Sequence, residues 1–502
     1  MLEAAVALAI FLALAALVER QVKPRAPRLR RATIAWLTFI VTCALWYGLL
    51  LGLTGRVVLS LFLALVGAIA LCWVSNAKYR LLREPLVFAD FALVPQVIRH
   101  PRLYYVELFQ QARTWLLAAP VFALLIFWLW AEPSVVPPLQ RLALLLAAPA
   151  LVCALPFLPG LGPALRRAAK RVLPKPDPAD DLENLGIAGS LLLSFLRWLD
   201  SRPPSIEEPL PMPHLGKLQQ QEAPLVVAVQ SESFLDLRRL RTDAPELPNI
   251  AAAQARALSW GPLRVPAIGA YTMRTEYAFL TATPNGALGF DALNPYLRAD
   301  RHPLPALPRL LAQAGWETIF VHPHVAEFFR RHKVMPALGF RRLITEEAFN
   351  GVERLGPYVS DAALATEVLR QLQEVRDPCF LFTVTMENHG PWRPGRLPGL
   401  LEETEIYGQH LIHADAMLGR LLEGLEASGR PWLLCFFGDH PPILRSIGDP
   451  APDHRSDYLI VSSLGEASPM PEEIDAAELG RRFQQQLRQL SSRRLTAGVE
   501  RV

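Results

Sequence analysis

Long apolar runs fill the first third of the chain, at about residues 2–18, 34–53, 57–75, 115–130 and 141–159. Most approach the roughly 20 helical residues that cross a hydrocarbon core. Basic stretches separate them, as in membrane anchors. The first run could be a cleaved signal peptide, but it lacks the basic start and opens with Glu3. The pattern predicts a transmembrane anchor of about five spans over residues 1–165.

The orientation of this anchor is left open by the charges. The positive-inside rule places the basic segments 19–32, 77–114 and 160–175 in the cytoplasm, and five spans would then leave the second half of the chain inside. Five spans with the N-terminus inside, against this charge bias, would put that half outside. A sixth span at 185–199, which is short and amphipathic, would have the same result.

The second half of the chain has the pattern of an α/β domain. Strand-like runs such as LVVAVQ and WLLCFF alternate with helical stretches at 304–315, 361–375 and 404–427, which predicts a mainly parallel sheet covered by helices. The resulting plan has four parts. They are the anchor at 1–165, a Pro-rich linker with an amphipathic helix at 166–222, a catalytic domain at 223–465, and a surface helix with a tail at 466–502.

Polar side chains follow four of the predicted strands. The strands lead into Ser231-Glu232-Ser233, His322-Pro323-His324, Glu387-Asn388-His389 and Gly438-Asp439-His440. Because open α/β sheets bind their ligands outside the carboxyl ends of the strands, we expect one site built from these segments.

Composition narrows the possible partners. The formal net charge is only +4, and part of it lies beside the apolar runs, which favours contact with anionic lipid and argues against nucleic acid. Five cysteines form neither a disulfide framework nor zinc-type spacing.

Glu232, Asp439 and His440 offer two carboxylates and one imidazole to a divalent cation. Mixed oxygen and nitrogen ligands suit Mn²⁺, Mg²⁺ or Zn²⁺. The alternative is that the two carboxylates cap helices. The presence of several histidines at the same predicted edge favours the metal site.

Thr272 and Thr275 lie where a small-residue turn leads into a predicted helix. Backbone amides at a helix N-terminus bind anions such as phosphate, and a metal would make a hydroxyl there a usable nucleophile. Either threonine is a candidate, and either could instead be an ordinary helix cap.

Five segments occur in an order that resembles a known family. They are SES, GAYTMRTEYAFLTATP, VHPHVAEFFRRHKVMPALGF, TVTMENHGPW and FFGDHPP. In this respect the chain is similar to the lipoteichoic acid synthase-like phosphoglycerol transferases of the alkaline phosphatase/sulfatase superfamily. The resemblance covers about residues 223–465 and extends to the multi-span anchor.

The resemblance implies roles for individual residues. Glu232, Asp439 and His440 fall on the metal ligands, and Thr272 falls on the nucleophile, which also contacts the metal. One divalent ion is implied, with Mn²⁺ favoured and Mg²⁺ or Zn²⁺ as alternatives. In the remaining pocket, His322 matches an active-site histidine, Arg331 a phosphate-binding arginine, and His389 a histidine of the substrate pocket.

The sequence departs from the family pattern near the substrate pocket. It has Phe328-Phe329-Arg330-Arg331-His332 where the family often has F-W-N-R-D, and His324 where an Asp is common. Phe329 and His324 are therefore expected to line an altered pocket. Arg330, His332 and His324 would make it more cationic, unless Arg330 and His332 face water.

The function that follows from the resemblance is a membrane-bound transfer of phosphoglycerol. Phosphatidylglycerol would be the donor, phospho-threonine the intermediate, and a hydroxyl of a cell-envelope glycan or polymer the acceptor. The family places the domain on the outer side of the bacterial cytoplasmic membrane. A phosphoethanolamine transferase and a catalytically silent membrane scaffold are the alternatives. A true sulfatase is disfavoured, since the stretch around Thr272 lacks the C/S-x-P-x-R pattern.

Overall fold

The computed structural model describes residues 2–499 except 26, 29–30, 100–111, 155–156, 203, 205–210, 216–217, 445–454, 466 and 468–469. The chain divides into two compact units, Met1–Arg202 and Pro203–Val502. The Pro-rich segment at 201–213, predicted to be linker, lies largely outside the described residues.

The described part of the first unit is helical. Its helices are α1 (Leu2–Glu19), α2 (Thr33–Thr54), α3 (Val57–Leu82), α4 (Val94–Arg99), α5 (Ala112–Ala131), α6 (Pro138–Ala154), α7 (Leu161–Val172) and α8 (Pro178–Asp200). Helix α1 packs on α3, and α2 packs on α6. These contacts bury aromatic side chains such as Phe11, Phe39 and Tyr47 between helices whose outer faces remain apolar.

Three helices of this unit, α1, α2 and α3, are long and apolar enough to cross a membrane. Helices α5 and α6 coincide with the last two predicted runs, but their apolar parts, Ala119–Ala131 and Pro138–Leu151, are shorter than a full span. Three candidate spans are thus present among the described residues, and the five-span anchor stays a prediction.

Residues 185–199, the alternative sixth span, belong to helix α8. The Asp177 side chain accepts a hydrogen bond from the Asp180 amide at the start of this helix, and the chain bends at Gly186. Helix α8 packs against α2 and α7, and it buries Leu182 and Leu193. It is an amphipathic helix of the first unit, and it is not among the described helices that qualify as spans.

The second unit is built on a mostly parallel sheet. Its strands are β1 (Leu225–Ser231), β2 (Ser259–Arg264), β3 (Glu317–Val321), β4 (Arg342–Ile344), β5 (Arg354–Leu355), β6 (Tyr358–Val359), β7 (Cys379–Val384), β8 (Trp432–Gly438), β9 (Arg455–Ser462) and β10 (Ile474–Asp475). In the described part of the chain, eight strands form one sheet in the order β10-β2-β9-β8-β1-β7-β3-β4. Strand β9 runs antiparallel to its neighbours, and β5 and β6 form a separate hairpin.

The central strands are parallel and in register at their carboxyl ends. Ser231 of β1 lies opposite Gly438 of β8, and Gln230 lies opposite Val384 of β7. Strand β7 in turn pairs with β3 up to Val321. The residues that follow β8, β1, β7 and β3 therefore emerge side by side, as the sequence predicts.

Helices cover both faces of this sheet, which explains why its central strands β1, β7 and β8 are buried along their whole length. The helices of the second unit are α9 (Pro248–Ala255), α10 (Thr272–Thr281), α11 (Leu307–Gln313), α12 (Arg331–Leu338), α13 (Asp361–Glu374), α14 (Glu403–Ala427) and α15 (Ala476–Val499). On one face, α9, α13 and α14 share a core with β1, β7 and β8. The apolar stripe of α14, from Tyr407 to Leu422, belongs to this core.

Helices α10 and α15 pack together over the other face. Phe279 of α10 lies 4.7 Å from Phe437 of β8 and 5.5 Å from Phe483 of α15, between ring centroids. The predicted surface helix near the chain end is therefore buried on its inner side, where Leu479, Phe483 and Leu487 are fully enclosed. This packing fixes α10, whose first turn belongs to the candidate site.

Candidate active site

Glu232, Asp439 and His440 converge at the carboxyl edge of the sheet. All three side chains are buried, and one ligand atom from each lies within 4.8 Å of the others. His440 Nε2 is 3.5 Å from Glu232 Oε1 and 3.3 Å from Asp439 Oδ2. Two carboxylates and one imidazole thus face a common point.

The backbone around these ligands is held by hydrogen bonds from neighbouring strand ends. The Glu232 amide donates to Thr385 Oγ1 at 2.9 Å. Asp439 Oδ1 accepts from the Ser233 and His440 amides at 2.8 and 2.9 Å. Ser233 Oγ donates to Glu232 Oε1 at 2.8 Å. Because these bonds fix the carboxylates before any ligand arrives, the site is preorganised.

The residues present fit a divalent cation. Asp439 Oδ2 is buried and has no hydrogen-bond partner among the described residues. Burial, together with the nearby Asp439 charge, raises the pKa of Glu232 to about 8. Both features are costly without a positive charge, because buried carboxylates need a compensating partner. The sequence-predicted ligand set therefore has the chemistry of a metal site.

Thr272 is the first residue of α10, at the helix end where backbone amides are free to bind an anion. The Thr275 hydroxyl, one turn later, donates to the Asp439 carbonyl at 2.6 Å. This bond ties the first turn of α10 to the loop that carries Asp439 and His440. Of the two candidate threonines, Thr275 therefore uses its hydroxyl to bond the ligand loop.

Tyr271, directly before Thr272, has a left-handed backbone with φ of 61°. The Arg274 guanidinium lies over the Tyr271 ring at 4.1 Å, and its Nη2 donates to the Leu293 carbonyl at 2.8 Å. A non-glycine residue in this conformation is strained by about 1–3 kcal/mol and persists only when its surroundings enforce it. The strained turn sets the position of Thr272.

Arg331 lies at the start of α12 and is almost fully buried. Its Nη2 and Nε donate to the two Glu276 oxygens at 2.6 and 3.3 Å, and its Nη1 lies 3.0 Å from His322 Nε2. Tyr296 donates its hydroxyl to Glu276 Oε1 at 2.6 Å. A guanidinium has five N–H groups. One hydrogen on each Arg331 terminal nitrogen is therefore left without a partner among the described residues.

His322 is held in one tautomer by its two neighbours. Its Nδ1 lies 3.0 Å from the Val384 carbonyl, so Nδ1 carries the proton and Nε2 accepts from Arg331. Burial, followed by the Arg331 charge, places the pKa of His322 well below its ordinary value. His322 is therefore neutral, and both of its nitrogens are engaged, an arrangement that positions Arg331.

The other predicted pocket residues surround Arg331. Phe329 is buried, and its ring centroid lies 5.4 Å from the Cζ atom of the Arg331 guanidinium. Its backbone has a left-handed φ of 52°. The half-buried His324 ring lies 5.1 Å from the Phe328 ring and 6.0 Å from His322. In this structure Phe329 supports the arginine that was predicted to hold phosphate.

The predicted gain of cationic charge in the pocket is not what the structure shows for Arg330 and His332. Arg330 donates to the Tyr296 and Leu297 carbonyls and pairs with Asp300 at 2.7 Å, while His332 is exposed. The Asp300 carboxylate neutralises Arg330, so this arginine adds no net charge to the pocket. Of the three residues that depart from the family pattern, His324 is the one whose ring lies beside His322.

His389 follows β7 and is half-buried. Its Nδ1 is 2.8 Å from the Gly390 carbonyl, which leaves Nε2 with a free lone pair. Burial lowers the pKa of His389, and the negative charge of Asp439 opposes part of this shift. The two side chains are thus close enough to interact electrostatically. A neutral imidazole with an available nitrogen can accept a proton.

Several supporting residues were not predicted from the sequence. Ser233 was quoted only as part of a motif, and Thr385 and Tyr296 were not singled out, although each bonds a site residue. Glu276 was not predicted either, and the structure makes it the partner of Arg331. For Ser233, Thr385 and Glu276 the available signal was a hydroxyl or carboxylate one to four residues from a predicted site residue. Tyr296 had no such signal.

Comparison with known proteins decides the family. A family model described as Sulfatase matches residues 224–486, just over half of the chain. The chain belongs to the sulfatase family. This confirms the superfamily that the motifs indicated, and it agrees with the mostly parallel, helix-covered sheet.

Curated relatives of this sulfatase-family chain come from Rhizobium meliloti (strain 1021). One, named "Capsular polysaccharide biosynthesis protein RkpI", is 35% identical over 450 residues, which is 88% of this chain and 82% of the relative. Another, named "Putative cyclic beta-1,2-glucan modification protein", is 31% identical over 257 residues, 48% of this chain and 38% of the relative.

Among solved structures, the phosphoglycerol transferase GacH of Streptococcus pyogenes in complex with sn-glycerol-1-phosphate is 22% identical. The match covers 54% of this chain and 75% of that chain, with a TM-score of 0.45.

Proposed function

We propose that this protein is a membrane-bound transferase that moves phosphoglycerol from phosphatidylglycerol to a hydroxyl of a cell-envelope glycan. Thr272 is the nucleophile. Glu232, Asp439, His440 and Thr272 form the metal site. The printed names of both rhizobial relatives concern glycans, which supports a saccharide acceptor.

One observation carries this proposal. The first turn of α10 is bonded to the ligand loop through Thr275 and the Asp439 carbonyl at 2.6 Å. The helix turn that begins at Thr272 is therefore anchored to the loop that carries two of the three clustered ligands. This combination suits attack on a phosphate ester.

The metal would be held by Glu232, Asp439 and His440 together with Thr272. A divalent cation supplies Lewis acidity, which lowers the pKa of a hydroxyl and neutralises charge on phosphate. Manganese is the ion we propose, because carboxylate oxygens outnumber nitrogens in the set.

In the first step the Thr272 oxygen attacks phosphorus of the lipid headgroup. A bond from Thr272 Oγ1 to phosphorus forms, the bond from phosphorus to the diacylglycerol oxygen breaks, and diacylglycerol leaves with a proton. The free amides of α10 and the two spare Arg331 hydrogens stabilise the charge on the phosphate oxygens. The product is phosphoglycerol esterified to Thr272.

In the second step an acceptor hydroxyl attacks the same phosphorus, and the bond to Thr272 breaks. His389 takes the hydroxyl proton, since its Nε2 has a free lone pair, and Thr272 is reprotonated. His322 positions Arg331 in both steps. Phe329 and His324 shape the pocket around this arginine.

The apolar helices suit a lipid donor, because the headgroup lies at the membrane surface and the enzyme must stay near it. We propose that the anchor has five spans in the bacterial cytoplasmic membrane, with the second unit on the periplasmic or extracellular side. The donor and the glycan acceptor would meet on that side.

The test is to trap the intermediate on the full chain in detergent with Mn²⁺. Phosphatidylglycerol or phosphatidylethanolamine is supplied without acceptor, the reaction is quenched in acid, and the protein is digested with trypsin. Cleavage after Arg264 and Arg274 places Thr272 in the peptide 265–274, separate from Thr275. The adduct is located by mass spectrometry.

A glycerophosphate adduct on 265–274 is the expected result, and Thr272→Ala should abolish it. A phosphoethanolamine adduct would instead support transfer of that headgroup. An adduct on the Thr275 peptide would reassign the nucleophile. No adduct with either lipid would refute the proposal and favour a silent scaffold. Thr366→Ala, an exposed threonine on α13, is the matched control and should retain the adduct.

A further inference from the structure

A second group of metal-type side chains lies behind the His389 loop. Glu387 precedes this loop, and His410 and His413 project from one face of α14, as the spacing i, i+3 dictates. Glu387 Oε1 lies 2.7 Å from His410 Nδ1 and 2.6 Å from His413 Nδ1. One ligand atom from each of the three thus falls within 4.8 Å of the others.

The surroundings of this cluster contain uncompensated polar atoms. Asp361 is buried beside it, its amide donating to Glu387 Oε2 at 2.7 Å, and neither Asp361 carboxylate oxygen has a hydrogen-bond partner among the described residues. His410 is fully buried, and its Nε2 likewise has no partner in the described part of the chain. Two buried carboxylates thus share this cluster with two imidazoles, and a cation bound there would compensate their charge.

We propose that Glu387, His410 and His413 bind a second divalent cation, of the class that prefers imidazole and carboxylate ligands, such as Zn²⁺. Three protein ligands suit a four-coordinate ion whose last position is open to water. His413 is 30% exposed, which gives the ion a route from solvent. The charge of +2 balances Glu387 and Asp361.

Two contacts connect the ion to the rest of the fold. The Arg396 guanidinium donates to the Glu387 carbonyl at 2.6 Å, and Gln409 Nε2 donates to His413 Nε2 at 3.0 Å. With the ion bound, His413 Nε2 would carry a proton, and the Gln409 amide would have to turn so that its oxygen accepts it. The cluster joins β7 to α14 at the base of the loop that carries His389. The bound ion would fix that loop, and its ligands are separate from Glu232, Asp439 and His440.

The experiment measures metal content on the full chain in detergent, loaded with Zn²⁺ and then dialysed. Elemental analysis should give two ions per chain for the wild type and one for His413→Ala. Asp439→Asn should also retain one ion, and the double variant none. His302→Ala, an exposed histidine outside both clusters, is the control and should keep two.

Cobalt substitution gives a second readout that needs no variant at the new cluster. With Co²⁺ bound, Asp439→Asn should show the visible absorption of a four-coordinate site with nitrogen ligands. One ion in the wild type and none in Asp439→Asn would overturn the proposal, leaving Glu387 as the acceptor in a hydrogen-bonded cluster. Because this result is read on a chain with an intact second cluster, misfolding of His413→Ala cannot mimic it.

Discussion

The buried pair of Glu276 and Arg331 offers the sharpest test of how this site is held together. The side chains are 0% and 2% exposed, and two hydrogen bonds join them. The substitution Glu276→Gln keeps the shape but removes the negative charge. Removing one partner of a buried ion pair costs about 3–5 kcal/mol, because the remaining charge stays buried without compensation.

The cost can be expressed as a melting temperature. The second unit has about 300 residues, and at about 2.1 cal/mol/K per residue its unfolding entropy is about 0.6 kcal/mol/K. The substitution should therefore lower the midpoint by about 5–8 °C. The midpoint can be followed by pulse labelling of Cys379 and Cys435, since both thiols are fully buried in strands of this unit. Mass spectrometry of their peptides separates them from the cysteines of the first unit.

Glu367→Gln is the matched control. Glu367 also binds an arginine through two hydrogen bonds, at 2.8 and 2.6 Å, but Arg370 is 50% exposed. Solvent screening limits such a surface pair to about 0–1 kcal/mol, so the midpoint should fall by no more than about 2 °C. If Glu276→Gln lowered the midpoint no more than this control does, the reasoning would be refuted. Breaking the pair would then not leave the Arg331 charge buried without compensation. The double variant Glu276→Leu/Arg331→Met should recover part of the loss, because no charge then remains buried.

Three further predictions concern the ligand loops. Gly438→Ala should weaken metal binding and lower stability, because a Cβ on this residue, directly before Asp439, would clash with the Phe234 carbonyl. Gly286→Ala, with open space around its Cβ, should change neither. Tyr407→Phe should cost about 1–3 kcal/mol in denaturant unfolding, because its hydroxyl donates to the Ser233 carbonyl at 2.7 Å. No loss would show that water replaces the hydroxyl. Metal removal by chelator should lower the midpoint by the equivalent of about 2.7 kcal/mol if the ion was at 100 times its Kd. An unchanged midpoint would contradict a resident metal.

The main parts of the site could be predicted from the sequence because parallel strands deliver their carboxyl ends to one edge. The positions of Glu232, Asp439 and His440 follow from recognising β1 and β8 as buried strands. Their convergence then requires only that the two strands be neighbours, which the register of Ser231 and Gly438 confirms.

The partners of the arginines could not be predicted in this way. Arg330 pairs with Asp300 and Arg331 with Glu276, and the partners are 30 and 55 residues away in the chain. Which carboxylate neutralises which guanidinium depends on how α10, α12 and the intervening loops pack. Local sequence patterns contain no information on that packing. For this reason the sequence alone left open whether Arg330 adds charge to the pocket.

The second histidine cluster was missed for a different reason. The apolar stripe of α14 correctly predicts a core helix, but His410 lies on the same helix and is just as buried as Leu411. A pair of histidines three residues apart on a helix that faces a carboxylate is a signal for a metal site. An analysis of hydrophobic periodicity does not detect it, because it considers only the spacing of apolar residues. Pairing that spacing with Glu387 would have required the sheet order.

Backbone strain identifies the same site without reference to any motif. In the part of the chain that the structure describes, six non-glycine residues have positive φ, and four of them adjoin proposed site residues. Ser233 follows Glu232, Tyr271 precedes Thr272, and Phe329 and Arg330 precede Arg331. Each costs about 1–3 kcal/mol and is tolerated only where the surroundings enforce it. The other two, Arg83 and Ala282, are helix C-caps, where a left-handed residue is common. The strain that no C-cap explains is therefore concentrated at the three segments that carry Glu232, Thr272 and Arg331.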